Sequence, residues 1–198
     1  MYPPIFISGP HGGGKTTLTK ALLKHNDLFC ETDFDIDFTL EFPSIGLLSH
    51  FERSLVRLYH RFFLHHYALM QECEQSVLTN RTVYDSEGYI WVYRQLGWIS
   101  EESFFRLGKI LENFKPRPYT IVLNPPVETI LARLGGRRSA LTRQNRDVLF
   151  QSEDSEVFVR SLHDYFATLK HGDRILYLED NSAADVVRVM DWVRGLNK

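Results

Sequence analysis

The sequence predicts an α/β fold in which helices cover both faces of a five-stranded parallel sheet. Short apolar runs alternate along the chain with longer segments whose apolar residues recur at helical spacing. A glycine-rich loop follows the first apolar run directly, and no repeat or long linker interrupts the 198 residues. This length suits one domain, so we expect a single three-layer sandwich over residues 1–198.

Five apolar runs bounded by glycine, proline or polar residues predict the strands. These strands cover residues 4–8, 28–33, 76–81, 119–124 and 174–179. The segments between and after them have helical spacing, and the predicted helices cover 16–25, 45–70, 87–96, 101–114, 127–134, 155–172 and 183–196. The longest has apolar residues at 47, 48, 51, 55, 58, 62 and 69. Ser100 followed by two glutamates is a typical helix start, and Gly97 is a typical helix end.

The composition excludes several classes of protein. The chain is 43% hydrophobic and 13% aromatic, which excludes disorder, and its net charge of −2 argues against a partner with the charge of nucleic acid. Cys30 and Cys73 form neither a disulfide framework nor a zinc motif. The most apolar stretch, 61–70, contains two histidines and is too short to span a membrane, and the first residues lack the basic region of a signal peptide. We therefore expect a cytoplasmic protein.

The loop after the first strand has the pattern of a phosphate-binding P-loop. Residues 9–16, "GPHGGGKT", match G-x-x-x-x-G-K-[ST], in which glycines let successive backbone N–H groups point at phosphate oxygens. The lysine adds positive charge, the threonine hydroxyl binds Mg²⁺, and the following helix contributes its N-terminus. We therefore expect ATP and Mg²⁺ as ligands. The predicted ATP-binding residues of the loop are Gly9, His11, Gly12, Gly13, Gly14, Lys15, Thr16 and Thr17, with His11 either a ligand or a filler.

A P-loop is compatible with hydrolysis or with phosphate transfer, and the remaining motifs favour transfer. No guanine-reading NKxD motif is present. The third strand ends in Asn80-Arg81, whereas a motor ATPase is expected to have an acidic residue there. Glu179-Asp180 does follow a strand, but this is the last one, and we interpret it as an ordinary core strand.

Three segments in order resemble the deoxynucleoside kinases. "NRTVYDSEGYIWVYRQLGWISEESF" (80–104) resembles the segment that begins with that family's Glu-Arg-Ser motif. "PVETILARLGGRRS" (126–139) resembles its arginine-rich lid, and "EVFVRSLHDYFATL" (156–169) resembles its Tyr-Leu-x-x-Leu-His-x-x-Tyr helix. Thymidylate kinases share this architecture and are the nearest competitor. The resemblance implies a P-loop NTPase sandwich with a lid at about 135–150, and a homodimer through the 45–70 helix and the helix after strand three.

The resemblance also assigns the predicted catalytic residues, Asp33, Arg81 and Lys15. Asp33 matches the family's general base at the end of the second strand, with Glu31, Asp35 and Asp37 as neighbouring alternatives. Arg81 matches an arginine that holds the transferring phosphate. Asn80 departs from the family, which has a Mg²⁺-binding glutamate there, so the predicted metal ligands are Thr16 and Asp33.

The same resemblance predicts the residues of the lid and of the acceptor pocket. Arg133 and Arg137 match lid arginines that bind ATP phosphates, and Arg138 and Arg143 add positive charge. The predicted acceptor-binding residues are Arg57, Tyr84 and Asp85, with Ser86 as an alternative to Asp85.

We expect ATP-dependent phosphorylation of a (deoxy)nucleoside 5′-hydroxyl, with a small nucleoside or nucleotide as partner. One alternative is a thymidylate-type nucleoside-monophosphate kinase. Another is a regulator that binds ATP without catalysis, which Asn80 favours.

Overall fold

The computed structural model describes residues 2–32, 43–139 and 150–196. Its core is a five-stranded, all-parallel sheet with the strand order β2-β3-β1-β4-β5. The strands are β1 (Ile5–Ser8), β2 (Phe29–Glu31), β3 (Ser76–Asn80), β4 (Tyr119–Leu123) and β5 (Ile175–Leu178). The predicted α/β fold with a five-stranded parallel sheet is therefore confirmed.

Seven α-helices and two 3₁₀ turns accompany the sheet in the described ranges. The helices are α1 (Lys15–Leu22), α2 (His50–Met70), α3 (Val83–Gln95), α4 (Glu101–Leu111), α5 (Val127–Ser139), α6 (Glu156–Ala167) and α7 (Ala183–Gly195). The 3₁₀ turns are Pro43–Leu47 and Gln151–Asp154. Within those ranges, every helix is too short or too polar to cross a lipid bilayer.

Successive strand residues point to opposite faces of the sheet, so each face has its own core. Ile7 and Leu123 are fully buried on the face that α1 and α7 cover. Phe6 lies on the opposite face beside Ala68 of α2, and Val122 lies there in the cluster that α3, α4 and α6 complete. The sheet is thus buried on both sides, as its apolar strands predict.

Three predicted helix boundaries were wrong by five residues, and the start of α3 and the ends of α1 and α4 differ by three or four. The helix predicted from residue 45 begins at His50, because Ser49 caps it in a reciprocal capping box with Glu52. The helix predicted to end before Gly135 continues to Ser139. The helix predicted to reach residue 172 ends at Ala167.

The parallel strands present their carboxyl ends at one edge, which is where ligands bind in open α/β sheets. Ile7 of β1 is level with Asn80 of β3, and Ser8 is level with Val122 of β4. The glycine loop, Arg81 and the end of β4 are consequently neighbours at this edge.

Candidate active site

The glycine loop has a backbone that side chains would disrupt. Gly9 has φ 139°, and a Cβ placed there would lie 2.1 Å from the carbonyl oxygen of Leu123. A Cβ on Gly13 would lie 2.8 Å from the carbonyl oxygen of Pro10. Both positions therefore require glycine, and a tight glycine curl of this kind is typical of phosphate-binding loops.

The N-terminus of α1 lacks the side-chain cap that other helices of this chain have. Its N-cap is Gly14, in a left-handed conformation, and among the described residues this helix has no side-chain cap hydrogen bond. Five other helices have Ser or Thr caps whose oxygens do accept one, namely Ser49, Thr82, Ser100, Ser155 and Ser182. An uncapped first turn beside a glycine loop is suited to bind an anion.

Lys15, Thr16 and Thr17 form the exposed side of this cradle. The Lys15 ammonium donates to the carbonyl oxygens of Gly9 and Pro10, at 2.6 and 2.9 Å, and so lies across the loop. Thr16 and Thr17 are exposed to solvent at the start of α1. All three side chains can therefore reach a phosphate that binds the loop.

The residues at the loop fit Mg²⁺ only with help from phosphate and water. No group of three His, Cys, Asp or Glu residues in the described ranges is placed to hold a metal ion. Mg²⁺ is usually held by one or two protein oxygens together with phosphates and waters, and the exposed Thr16 hydroxyl provides one such oxygen. Asp33, the other predicted ligand, lies outside the described residues, as do Asp35 and Asp37. Glu31 is exposed at the end of β2.

The first predicted lid arginine lies against the loop. Arg133 Nη1 donates to the carbonyl oxygen of Gly13 at 2.8 Å, and it would be 3.1 Å from a Cβ on Gly14. Arg137 lies one helical turn further along α5 and is exposed. Residues 140–149, including Arg143, lie outside the described residues.

Arg81 and Asn80 lie at the end of β3, next to the loop. Arg81 has φ 74°, and its backbone N–H donates to Ile7 O at 2.7 Å, which fixes it beside the end of β1. Burial and the guanidinium groups of Arg61 and Arg81 lower the pKa of His60, on α2, to about 3. Asn80 Oδ1 accepts a hydrogen bond from Thr19 Oγ1 at 2.8 Å, so it holds β3 to α1.

The His11 side chain points away from the phosphate cradle and into the protein. Its Nδ1 lies 2.8 Å from the hydroxyl of Tyr89 on α3, and its Nε2 lies 3.0 Å from Asp154 Oδ1. Both His11 and Asp154 are buried. We therefore expect the backbone of His11, rather than its imidazole, to face a bound phosphate. The imidazole instead joins the loop to α3 and to the 3₁₀ turn Gln151–Asp154.

A buried ionic cluster lies next to this junction and contains Arg57. Glu153 is completely buried, and its carboxylate lies 3.3 Å from Arg57 Nη2 and 3.6 Å from Arg53 Nη1. The hydroxyl of Tyr93 donates a short hydrogen bond to the same carboxylate. Burial alone would lower the pKa of Arg57, but the charge of Glu153 and the contact with Tyr93 raise it above its usual value. For Tyr93, by contrast, burial itself raises the pKa of the hydroxyl, because burial disfavours the charged form.

The remaining predicted acceptor residues lie in the first turn of α3. Tyr84 belongs to the apolar core, with Arg117 stacked over its ring. Asp85 Oδ2 accepts hydrogen bonds from Ser8 Oγ at 2.6 Å and from the N–H of Thr82 at 2.7 Å.

Two buried polar atoms of this turn have an unfilled hydrogen-bonding capacity. Asp85 Oδ1 and Ser86 Oγ are buried, and neither has a hydrogen-bond partner among the described residues. Because buried polar groups are normally satisfied, a ligand or an ordered water is expected to bind there.

Sequence reasoning missed Tyr89, Tyr93, Glu153 and Asp154. Each makes its polar contact with a residue 60 or more positions away, so no local pattern marks it. The adjacent acids Glu153-Asp154, in the 3₁₀ turn before α6, were the available signal. Both acids are buried, and they contact Arg57 and His11, which lie far from them in the sequence.

Comparison by sequence finds no match, either to a protein-family model or to a curated protein. Comparison by structure finds many solved structures that match this chain. The structure of deoxyadenosine kinase from M. mycoides with bound dATP matches with a TM-score of 0.67 and 14% identity over 100% of both chains. The structure of that enzyme with bound dCTP gives a TM-score of 0.67 and 13% identity over 97% of this chain and 99% of the other.

A third structure, deoxyadenosine kinase from M. mycoides with the products dCMP and a flexible dCDP, has a TM-score of 0.66 and 12% identity. It covers 97% of this chain and 98% of the other. Since the matches extend over almost the whole of each chain, this protein has the fold of a P-loop deoxynucleoside kinase.

Proposed function

We propose that this protein transfers the terminal phosphate of ATP to the 5′-hydroxyl of a nucleoside or deoxynucleoside. The observation that carries the proposal is the glycine loop before an uncapped helix, in a chain whose fold matches deoxyadenosine kinases over its full length. The loop supplies the site for ATP phosphates, and the fold resemblance supplies the class of acceptor.

The proposed chemistry distributes three tasks among the predicted site residues. Asp33 accepts the proton that the 5′-hydroxyl loses as it attacks the terminal phosphorus. Arg81 holds the transferring group, while Lys15, Arg133 and Arg137 offset the negative charge around it. Lys15 and Arg133 already contact the loop. Mg²⁺, bound by Thr16, Asp33 and the phosphates, would neutralise further charge.

For the acceptor we propose the first turn of α3. Asp85 Oδ1 and Ser86 Oγ are buried and have unfilled hydrogen-bonding capacity, so they are suited to read the polar edge of a base. Arg57, which contacts Glu153 and the ring of Tyr89 on the same helix α3, is the third proposed acceptor residue.

The contacts of Arg53 and Arg57 argue against a monophosphate acceptor at α2. A nucleoside-monophosphate kinase needs cations that bind the acceptor's own phosphate. The guanidinium groups of both arginines already share the carboxylate of Glu153. A nucleoside, which brings no phosphate, is therefore the better-supported substrate.

The direct test is ADP release from ATP·Mg²⁺ in the presence of separate nucleoside and nucleoside-monophosphate pools. We expect stimulation by nucleosides, its loss in Asp33→Asn, and its retention in Asp27→Asn, an exposed aspartate before β2. Stimulation only by monophosphates would contradict the acceptor assignment. ATP binding without stimulation by either pool would contradict the proposed activity and support a non-catalytic regulator.

A further inference from the structure

The fold brings together the two cysteines of the chain. Cys30 lies in the middle of β2, and Cys73 lies in the connection between α2 and β3, 43 positions later. Their sulfur atoms are 2.6 Å apart. A disulfide bond is about 2.05 Å long, so the two sulfurs need to approach by only about half an ångström to bond.

Strand pairing and packing hold the two sulfurs close. Cys30 is paired with Val77 of β3 in the parallel ladder, which holds β2 beside that strand. Phe6, Ala68 and Val77 form a buried cluster against which both cysteines pack. Their proximity therefore follows from the packing of both side chains against this one cluster.

The two thiols are also within reach of small molecules. Cys30 and Cys73 are each half-buried, whereas a fully buried thiol is inert. The Cys73 thiol donates to the amide oxygen of Gln75 at 3.0 Å, a contact that is only partly buried. A reagent of the size of glutathione can thus approach the pair.

We propose that Cys30 and Cys73 are a redox modification site that forms a reversible intramolecular disulfide by exchange with a low-molecular-weight disulfide. One cysteine loses its proton and attacks a sulfur of the reagent, giving a mixed disulfide and releasing one reagent thiol. The other cysteine then loses its proton, attacks the protein sulfur of the mixed disulfide and releases the second reagent thiol. Two protein thiols are oxidised, and one reagent disulfide is reduced to two thiols.

The disulfide would covalently link β2, a short strand at the edge of the sheet, to the segment before β3. Strand β2 has three residues and, in the part of the chain that the structure describes, pairs only with β3. It leads through Thr32 directly to the predicted base Asp33. Closing a loop of this length restricts the unfolded chain, so we expect the melting temperature to rise by about 10 °C on oxidation.

The test does not depend on the proposed activity. The whole protein is equilibrated with mixtures of reduced and oxidised glutathione, and its intact mass, non-reduced peptide map and melting temperature are measured. We expect loss of two hydrogens, a Cys30–Cys73 peptide, a higher melting temperature, and full reversal by dithiothreitol.

The single variants Cys30→Ser and Cys73→Ser distinguish this site from two unrelated surface thiols. Each variant retains one thiol and should accumulate a glutathione mixed disulfide, because no second thiol is present to displace it. The unmodified protein should not accumulate one. Persistent glutathione adducts on the unmodified protein, disulfides between molecules, or thiols that remain reduced in oxidised glutathione would each overturn the proposal.

Discussion

Replacing Glu153 with glutamine should strongly destabilise the protein, because its buried carboxylate forms ion pairs with two arginines. The side chain is fully buried, and the carboxylate lies 3.3 Å from Arg57 and 3.6 Å from Arg53, with Tyr93 as a further donor. Removing one partner of a buried ion pair costs about 3–5 kcal/mol, since an uncompensated charge remains. We expect about 4 kcal/mol for Glu153→Gln and a melting temperature about 10 °C lower.

Urea unfolding of a double-mutant cycle measures this contribution. The cycle compares the unmodified protein with Glu153→Gln, Arg57→Met and the double variant, and the double variant should lose less than the sum of the two single losses. Glu128→Gln is the control, because that largely exposed carboxylate pairs with Arg160 at the surface and should cost under about 1 kcal/mol. A loss below about 1 kcal/mol for Glu153→Gln, or strict additivity, would refute the reasoning.

Three further predictions concern other parts of the molecule. Gly9→Ala should lower the free energy of unfolding by at least about 2 kcal/mol in urea, because its Cβ would lie 2.1 Å from Leu123 O; an unchanged midpoint would contradict this. The pKa of His60 is about 3 in the folded protein and 6.5 when unperturbed, so stability should fall as pH drops below 6.5. By pH 5 this loss should reach about 1 kcal/mol after allowance for solvent screening, and His60→Gln should show a smaller fall in melting temperature between pH 7 and pH 5. Tyr59 is 63% exposed on α2, and if this helix forms the predicted homodimer, Tyr59→Glu should give monomers in sedimentation equilibrium. Val157→Glu, on α6, should leave the dimer intact, and a monomeric unmodified protein would contradict the prediction.

The sheet and the glycine loop were predictable because their signals are local. Each strand is a short apolar run between turn residues, and the run 4–8 leads directly into the loop motif. A left-handed Gly9 against the end of β4 is what such a motif requires, and the structure has it. Helix boundaries were less predictable, because competing local signals decide them.

The start of α2 illustrates such a competition. Apolar residues at 47 and 48 extend the helical pattern, but Ser49 and Glu52 form a capping box that begins the helix at His50. At α5 the outcome is the reverse, since the helix continues through Gly135 and Gly136. The preceding turn is held by the packing of Leu134 in a buried cluster with α6, which outweighs the glycines' weak helix propensity.

The polar contacts around the loop were beyond sequence reasoning for a different reason. His11 meets Tyr89 across 78 positions of the chain, and Arg57 meets Glu153 across 96. Such pairs depend on how the helices pack on the sheet, and no spacing along one segment encodes them. The proximity of Cys30 and Cys73 arose in the same way, from the packing of both side chains against one buried cluster.

In the proposed function, the terminal phosphate of the ATP bound at the glycine loop is transferred to a nucleoside. This transfer is tested most directly by incubating the protein with ATP labelled in the terminal phosphate, Mg²⁺ and a mixture of nucleosides, and by separating the products. We expect the label to appear in a nucleoside monophosphate, and we expect Lys15→Met to abolish this transfer. Label found only in inorganic phosphate, or remaining in ATP, would contradict the proposed function.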